Sequence, residues 1–296
     1  MPTLRDIGED ELIHRLTQHL PRRGDVLAGV GDDCAVVKGS PDPVLLKTDA
    51  IIEGVHFLSD AKPELIGRKA LARVISDIAS MGGLPQHALI TLVLRPDLEI
   101  AWVEEVYRGM SELAQRYNVS IVGGETCRGP VCMISVAMMG TVEGDWISRS
   151  GAWAGDVLFV TGRLGGSIQG KHFTFEPRLE EARWLKNLYP PSAMMDLSDG
   201  LAKDLPRLAK ASGVEFIIDE EALPCTEGCT PAQAWGDGED YELLFSIAAE
   251  SADELMEDWK LEFDMPLTMI GSIVKIGAGR LPSFASRGWD HFAKDA

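Results

Sequence analysis

Residues 64–85 read ELIGRKALARVISDIASMGGLP, and residues 87–94, 100–117 and 119–125 follow as HALITLVL, IAWVEEVYRGMSELAQRY and VSIVGGE. In the first stretch Leu65, Ile66, Leu71, Val74, Ile75 and Ile78 keep to one helical face, which predicts a helix stopped by Gly82-Gly83 and then Pro85. The apolar run from His87 to Leu94 predicts a strand. Val103, Val106, Met110, Leu113 and Ala114 predict a second helix from Ile100 to Tyr117, and Val119 to Val122 a strand ending at Gly123-Gly124. Helix, strand, helix and strand in one unbroken stretch set the fold class as mixed α/β.

Outward from this stretch, Glu9 to Leu20 carries Leu12, Ile13, Leu16 and Leu20 at helical spacing. Val26 to Val30, Ala35 to Val37 and Val44 to Thr48 read as short strands cut by Gly and Pro, and Cys132 to Val142 as a further strand. Gly, Ser and Ala cluster at 145–155 before a new strand at Val157 to Val160. We therefore expect an N-terminal α/β domain over 1–148 and a C-terminal α/β domain over 149–296. The second half predicts helices at Leu179 to Leu188, Leu201 to Ala211 and Ala252 to Trp259, the last with Ser251 and Glu254 at the spacing of a capping box. Val214 to Ile218, Leu243 to Ile247 and Leu267 to Ile273 predict strands.

Of the 296 residues 28 are basic and 46 acidic, a net charge of −18, which argues against a general nucleic-acid binder. An apolar share of 45% is that of a folded protein and excludes wholesale disorder. No apolar run approaches the roughly 18–20 residues of a membrane helix. The start, Met1-Pro2-Thr3-Leu4-Arg5-Asp6, lacks a signal-peptide pattern, so a cytoplasmic chain without a membrane partner is expected. Cys34, Cys127, Cys132, Cys225 and Cys229 are odd in number and fit no zinc spacing; reduced thiols are expected, with a Cys225–Cys229 bond as the alternative.

The acids gather in an informative pattern. Asp32 and Asp33 follow Gly31 in a turn, Asp49 follows Lys47-Thr48 at a strand end, and Asp77 lies in the helix before Gly82. Glu125 follows Gly123-Gly124, and Asp196 and Asp199 bracket Leu197-Ser198 where a strand-like run gives way to a helix. Any one of these acids is most simply a cap or a solvated side chain. Together, at element ends beside Gly, Ser or Thr, they read as a metal-bound phosphate site, because Mg²⁺ joins a few carboxylates to substrate phosphates. Gly123-Gly124 would let a backbone approach a polyphosphate, and Ser198-Asp199-Gly200 opens a helix whose amides could hold an anion. Neither a P-loop nor a dinucleotide fingerprint is present.

The motifs, taken in order, resemble the thiamine-monophosphate kinase family. They are residues 31–37 (GDDCAVV), Thr48-Asp49 with Glu53-Gly54-Val55-His56-Phe57, and Lys69-Ala70-Leu71-Ala72 leading to residues 76–82 (SDIASMG). Next come residues 122–126 (VGGET), residues 149–152 (RSGA), residues 195–201 (MDLSDGL), residues 238–245 (GEDYELLF) and residues 288–292 (GWDHF). The resemblance spans nearly the whole chain. It implies a two-domain subunit with the aminoimidazole ribonucleotide synthetase fold and N-terminal sheets pairing across the interface of a homodimer. It also implies ATP as co-substrate, thiamine phosphate as acceptor and several Mg²⁺ ions.

Matched motif by motif, Asp33, Thr48, Asp49, Asp77, Glu125, Asp196 and Asp199 fall on metal positions. Tyr107, Gly124, Arg149 and Ser198 fall on ATP positions, and His56, Glu239 and Trp289 on thiamine-phosphate positions. Without the resemblance, Tyr107 would be core, His56 an ordinary histidine and Trp289 a packing anchor. Phosphoryl transfer needs positioning and charge neutralisation more than acid–base groups, so no obligatory general base and no phospho-enzyme are expected. The chain departs from the pattern at Lys47, where a hydroxyl residue is usual, and at Glu125, where Asp is usual. Other enzymes of the superfamily, or a non-catalytic nucleotide- or metal-binding regulator, are the alternatives.

Overall fold

The computed structural model describes residue 12 and residues 15–28, 36–283 and 288–289. The chain divides into two units, Met1–Ile78 with Gly83–Gly144, and Ala79–Gly82 with Asp145–Ala296. In chain order the first contains β1 (Val26–Ala28), β2 (Val36–Val37), β3 (Val44–Ile52), α1 (Pro63–Ser80), β4 (Leu84–Leu94), α2 (Ile100–Arg116), β5 (Ser120–Arg128) and β6 (Met133–Thr141). Its main sheet has the order β3-β6-β4-β5, antiparallel except for the parallel pair β4 and β5.

Strand alternation gives that sheet two different faces. Leu45 and Ile51 of β3, Ile90 and Leu92 of β4, and Ile134, Val136 and Met138 of β6 are buried. So are Leu71, Val74 and Ile75 of α1 and Val103, Val106 and Met110 of α2, which is the periodicity the sequence displayed. The alternate residues Val44, Leu46 and Leu89 are exposed. α1 and α2 cross at Gly67 and Gly109. A Cβ on Gly67 would overlap the Val106 carbonyl oxygen, and one on Gly109 that of Glu64.

The second unit is built on an antiparallel sheet of order β8-β10-β7-β11-β9, from β7 (Val157–Thr161), β8 (Ala193–Asp196), β9 (Glu215–Ile218), β10 (Leu243–Ile247) and β11 (Leu267–Val274). Its helices are α3 (Lys171–Thr174), α4 (Leu179–Leu188), α5 (Leu201–Ser212), α6 (Pro231–Gly236) and α7 (Ala252–Glu262). Leu201, Leu205 and Leu208 of α5 pack with Leu158, Met195, Leu244 and Ile270 in one core, and α5 stops at Gly213 in the left-handed conformation. Phe159 and Phe245 stack with their ring centres 5.5 Å apart.

Three local expectations need correcting. β3 continues to Ile52 and β5 to Arg128, so Asp49 and Glu125 stand within strands and not after them. The Ser251–Glu254 pair makes no capping box; Ser251 is already in the right-handed helical region and makes no side-chain cap bond. The box is formed instead by Thr230 and Gln233 at the start of α6. The Gly31–Asp33 motif lies outside the described residues.

Candidate active site

Asp196 is the last residue of β8, opposite Leu243 of β10, and is buried. Beyond it the chain is zipped to the segment entering β10. The Leu197 amide donates to the Glu242 carbonyl (2.9 Å), the Tyr241 amide to Leu197 (2.8 Å), and the Glu239 amide to Ser198 (2.8 Å). From the far end of the chain, the Trp289 amide donates to the Asp199 carbonyl (2.8 Å), and Lys203 Nζ donates to the Trp289 carbonyl (2.6 Å). Asp196, Ser198, Asp199, Glu239 and Trp289, widely separated in sequence, therefore meet at the start of α5.

The amides offered there to an anion are already engaged. Those of Ser198 and Asp199 donate to Oδ2 of Asp204 at 3.0 and 2.9 Å, and the N-cap residue is Gly200 with no side-chain cap. Arg207 pairs with Asp204 and with Asp199, each at 2.7 Å. Burial pushes the Asp204 carboxyl up to about 6, with Asp199 and Asp196 adding to the rise against the Asp199 amide and Arg207. Asp196 and Asp199 offer carboxylate oxygens of the kind a divalent ion takes, with Asp199 already paired to Arg207 and its Oδ2 3.9 Å from Lys203 Nζ. The sequence reading missed Asp204 and Arg207, although their i, i+3 spacing near the start of a predicted helix is a signal.

Glu239 and Tyr241 adopt φ of 64° and 51°, the left-handed region that costs a non-glycine residue about 1–3 kcal/mol. The surroundings over-determine them. Glu242, just before β10, is buried and accepts from Thr161 Oγ1 (2.9 Å), Lys171 Nζ (2.9 Å), and Arg178 Nε and Nη2 (2.7 and 2.8 Å). Asp240 accepts from the Gly165 amide (3.1 Å) and Ser167 Oγ (2.6 Å). Tyr241 stacks on Phe175 with ring centres 4.0 Å apart, and its hydroxyl lies 3.5 Å from Glu239 Oε1. His172 Nδ1 stands 3.5 Å from Glu239 Oε2. Two acids with two cations and a stacked ring thus fix where the Glu239 carboxylate stands.

In the first unit, Lys47 and Asp49 share the face of β3 on which Leu45 and Ile51 are buried. Lys47 Nζ lies 2.8 Å from Asp77 Oδ1 of α1 and 3.4 Å from Asp49 Oδ1. Arg73, one turn before Asp77, places Nη2 3.8 Å from Asp49 Oδ2. The Asp49–Asp77 pair does not fit a divalent ion between its inner oxygens, because an ammonium, which has no lone pair to offer a metal, stands there. Thr48 points to the other face, where its Oγ1 is 3.5 Å from Ser135 Oγ. Register aligns Glu125 with Thr91, Ser135 and Ala50, a row on that same opposite face. Among the described residues no group of three or more His, Cys, Asp or Glu side chains is arranged to hold a metal ion.

The model of the AIR synthase related protein N-terminal domain matches residues 31–142, and that of the C-terminal domain residues 144–281. Thiamine-monophosphate kinase from Rhodopirellula baltica is 41% identical over 280 residues, spanning 87% of this chain and 86% of the relative. The enzyme of that name from Escherichia coli K12 is 33% identical over 97% and 98% of the two chains. The chain belongs to the thiamine-monophosphate kinase family.

Solved structures agree with that membership. Thiamine-monophosphate kinase from Stenotrophomonas maltophilia superposes with a TM-score of 0.77 at 30% identity, over 90% of this chain and 92% of the other. AaThiL complexed with AMPPCP and TMP superposes with a TM-score of 0.76 at 32% identity, over 99% of each chain. The hydrogenase maturation protein HypE of E. coli, 19% identical with a TM-score of 0.78, shares the fold.

The remaining positions assigned by likeness to thiamine-monophosphate kinases have structural surroundings of their own. Tyr107 is buried in α2 beside Val103, Val106 and Met110, and burial pushes its hydroxyl well above the ordinary range. Gly124 must be glycine for a reason within the sheet, since a Cβ there would overlap the Ile90 carbonyl of β4. His56 follows β3 in a turn where its Nδ1 accepts from the Ile52 amide at 3.2 Å, and its carbonyl accepts from buried Lys69 at 2.7 Å. Arg149 is exposed, with its carbonyl bonded to Ser212 Oγ at 3.1 Å.

Proposed function

We propose that this chain transfers the γ-phosphoryl group of ATP directly to the phosphate of thiamine phosphate, giving ADP and thiamine diphosphate. The observation that carries the reading is the convergence of Asp196, Ser198 and Asp199 with Glu239 and Trp289 at the start of α5. It gathers positions assigned to metal, nucleotide and acceptor on a single structural unit. The AMPPCP and TMP of the AaThiL complex lend support from a relative of nearly equal length.

In this reading Ser198 and Arg149 contact ATP, Arg149 as a fixed cation that steadies a phosphate against rotation. Tyr107 and Gly124 are the further nucleotide positions. Trp289 offers a ring face to the cationic thiazolium, where quadrupole attraction and dispersion act together. Glu239, held by the strained segment, sets the acceptor's orientation with a carboxylate that cannot swing away, and His56 is the third acceptor position. In-line positioning is the chain's main task, since the loose transition state asks for little proton transfer. Mg²⁺ held by Asp196 and Asp199 would neutralise charge on the transferring group.

The reading extends to a cytoplasmic homodimer. One face of the β3-β6-β4-β5 sheet carries the exposed apolar side chains Val44, Leu46 and Leu89, suited to pairing with a second copy. Among the described residues no helix is long and apolar enough to cross a membrane. The test is incubation of the purified protein with ATP, Mg²⁺ and thiamine phosphate. Thiamine diphosphate with equimolar ADP is expected; bound ATP without product would overturn the reading.

A further inference from the structure

We propose that the Lys47 ammonium serves as a built-in substitute for one divalent cation between Asp49 and Asp77. The inference rests on the reading of these acids as part of a metal-assisted phosphate site, and it deepens that reading.

Residues two apart on a strand share a face, so Lys47 and Asp49 both project toward α1. Asp77 meets them from α1, and Nζ comes to rest 2.8 Å from one carboxylate and 3.4 Å from the other. The first distance is that of a charge-assisted hydrogen bond, and the second is an ion pair within contact. The Lys47 side chain is 33% exposed and the aspartates 23% and 17%, so the three groups are partly withdrawn from water and weakly screened. Arg73, mostly buried, approaches Asp49 from the other oxygen and donates Nη1 to the Ala50 carbonyl at 3.3 Å. Two carboxylates thus face two cations supplied by the chain.

A Mg²⁺ ion would need carboxylate oxygens at about 2.0–2.1 Å. Here the space between the two Oδ1 atoms is filled by Nζ, and a divalent ion entering it would be repelled by both cations. Lys47 and Arg73 together can neutralise the pair permanently, but an ammonium cannot coordinate a phosphate oxygen as a metal does. What the ammonium retains is one unit of positive charge and donors fixed near the aspartates. The chain should accordingly bind one divalent ion fewer than it would with a short hydroxyl residue at position 47.

The test counts ions and does not depend on turnover. Mn²⁺ bound per chain would be measured by the loss of its free electron-paramagnetic-resonance signal, at saturating metal and without nucleotide. Wild type, Lys47→Ser and Lys47→Arg would be compared, with Lys47→Gln standing in if Lys47→Ser fails to fold. The expected result is one additional Mn²⁺ in Lys47→Ser or Lys47→Gln and no change in Lys47→Arg. Thermal melting gives a second readout: Mn²⁺ should raise the midpoint of the neutral variant more than that of wild type. Equal counts in wild type and a folded neutral variant would overturn the proposal, as would a gained ion in Lys47→Arg. A one-ion difference in a chain that makes no thiamine diphosphate would sustain the role of Lys47 while overturning the kinase reading.

Discussion

Replacing Glu242 by Gln keeps the shape of the side chain and removes its charge. The native carboxylate is buried (1% exposed) and accepts two bonds from Arg178, one from Lys171 and one from Thr161, all between 2.7 and 2.9 Å. Three of these are charge-assisted, a class worth about 1.5–3 kcal/mol each. The glutamine oxygen can accept at most two bonds, while its NH₂ group would face cationic donors. Arg178 and Lys171 retain 18% and 26% exposure, so partial re-solvation offsets some of the loss. Removing one member of a buried pair then costs about 3–5 kcal/mol. Urea unfolding followed by tryptophan fluorescence should show the midpoint falling by about 1–2 M at unchanged slope. Adding Arg178→Met to the variant should cost much less than the sum of the two single changes, because the guanidinium then has no lost partner. Because Glu242 anchors the strained Glu239–Tyr241 segment, KM for thiamine phosphate should rise in the single variant. A loss below about 1 kcal/mol, or additive behaviour of the pair, would refute the argument.

Three further outcomes can be measured. Burial pushes the Asp240 carboxyl up to about 6 from 3.8, so the folded state holds its proton more tightly than the unfolded chain. Its contribution to stability is therefore fully present below about pH 4 and lost as pH rises through about 6, a change of roughly 3 kcal/mol. Asp240→Asn should abolish that part of the slope, and a wild-type-minus-variant difference that stays flat from pH 4 to 7 would contradict it. Gly124→Ala should destabilise by about 1–3 kcal/mol, seen as a lower melting temperature, because the added methyl forces β4 and β5 apart. Trp289→Ala should raise KM for thiamine phosphate about 2- to 30-fold, matching a cation–π contact of about 0.5–2 kcal/mol, with KM for ATP unchanged.

Much of the secondary structure was legible because its causes are local. The apolar face of Leu71, Val74 and Ile78 announced α1, and Gly82-Gly83 its end. The expected end of β5 at Gly123-Gly124 does not hold, because glycine is a poor strand former only when read alone. In the fold, Gly124 lies against Ile90 of β4, whose parallel pairing carries the strand on to Arg128. The capping box was misplaced for a related reason. Ser251 has the right spacing, but the short 3₁₀ turn Ala249–Ser251 leads into α7 and turns its backbone helical before a cap can form.

For the candidate site, the sequence determined which residue types are present and in what order. Acids beside Gly, Ser and Thr, a terminal tryptophan and a lysine where a hydroxyl is usual could all be named without coordinates. Only the tertiary structure decided which of them meet. Nothing in the spacing of residues 199, 239 and 289 says that two backbone bonds bring Glu239 and Trp289 to Ser198 and Asp199. Nor does the run Lys47-Thr48-Asp49 say that its middle residue turns away while the outer two face Asp77. The physical reason is that periodicity fixes the face on which a side chain stands. The register and packing of elements distant in the chain decide what it finds there.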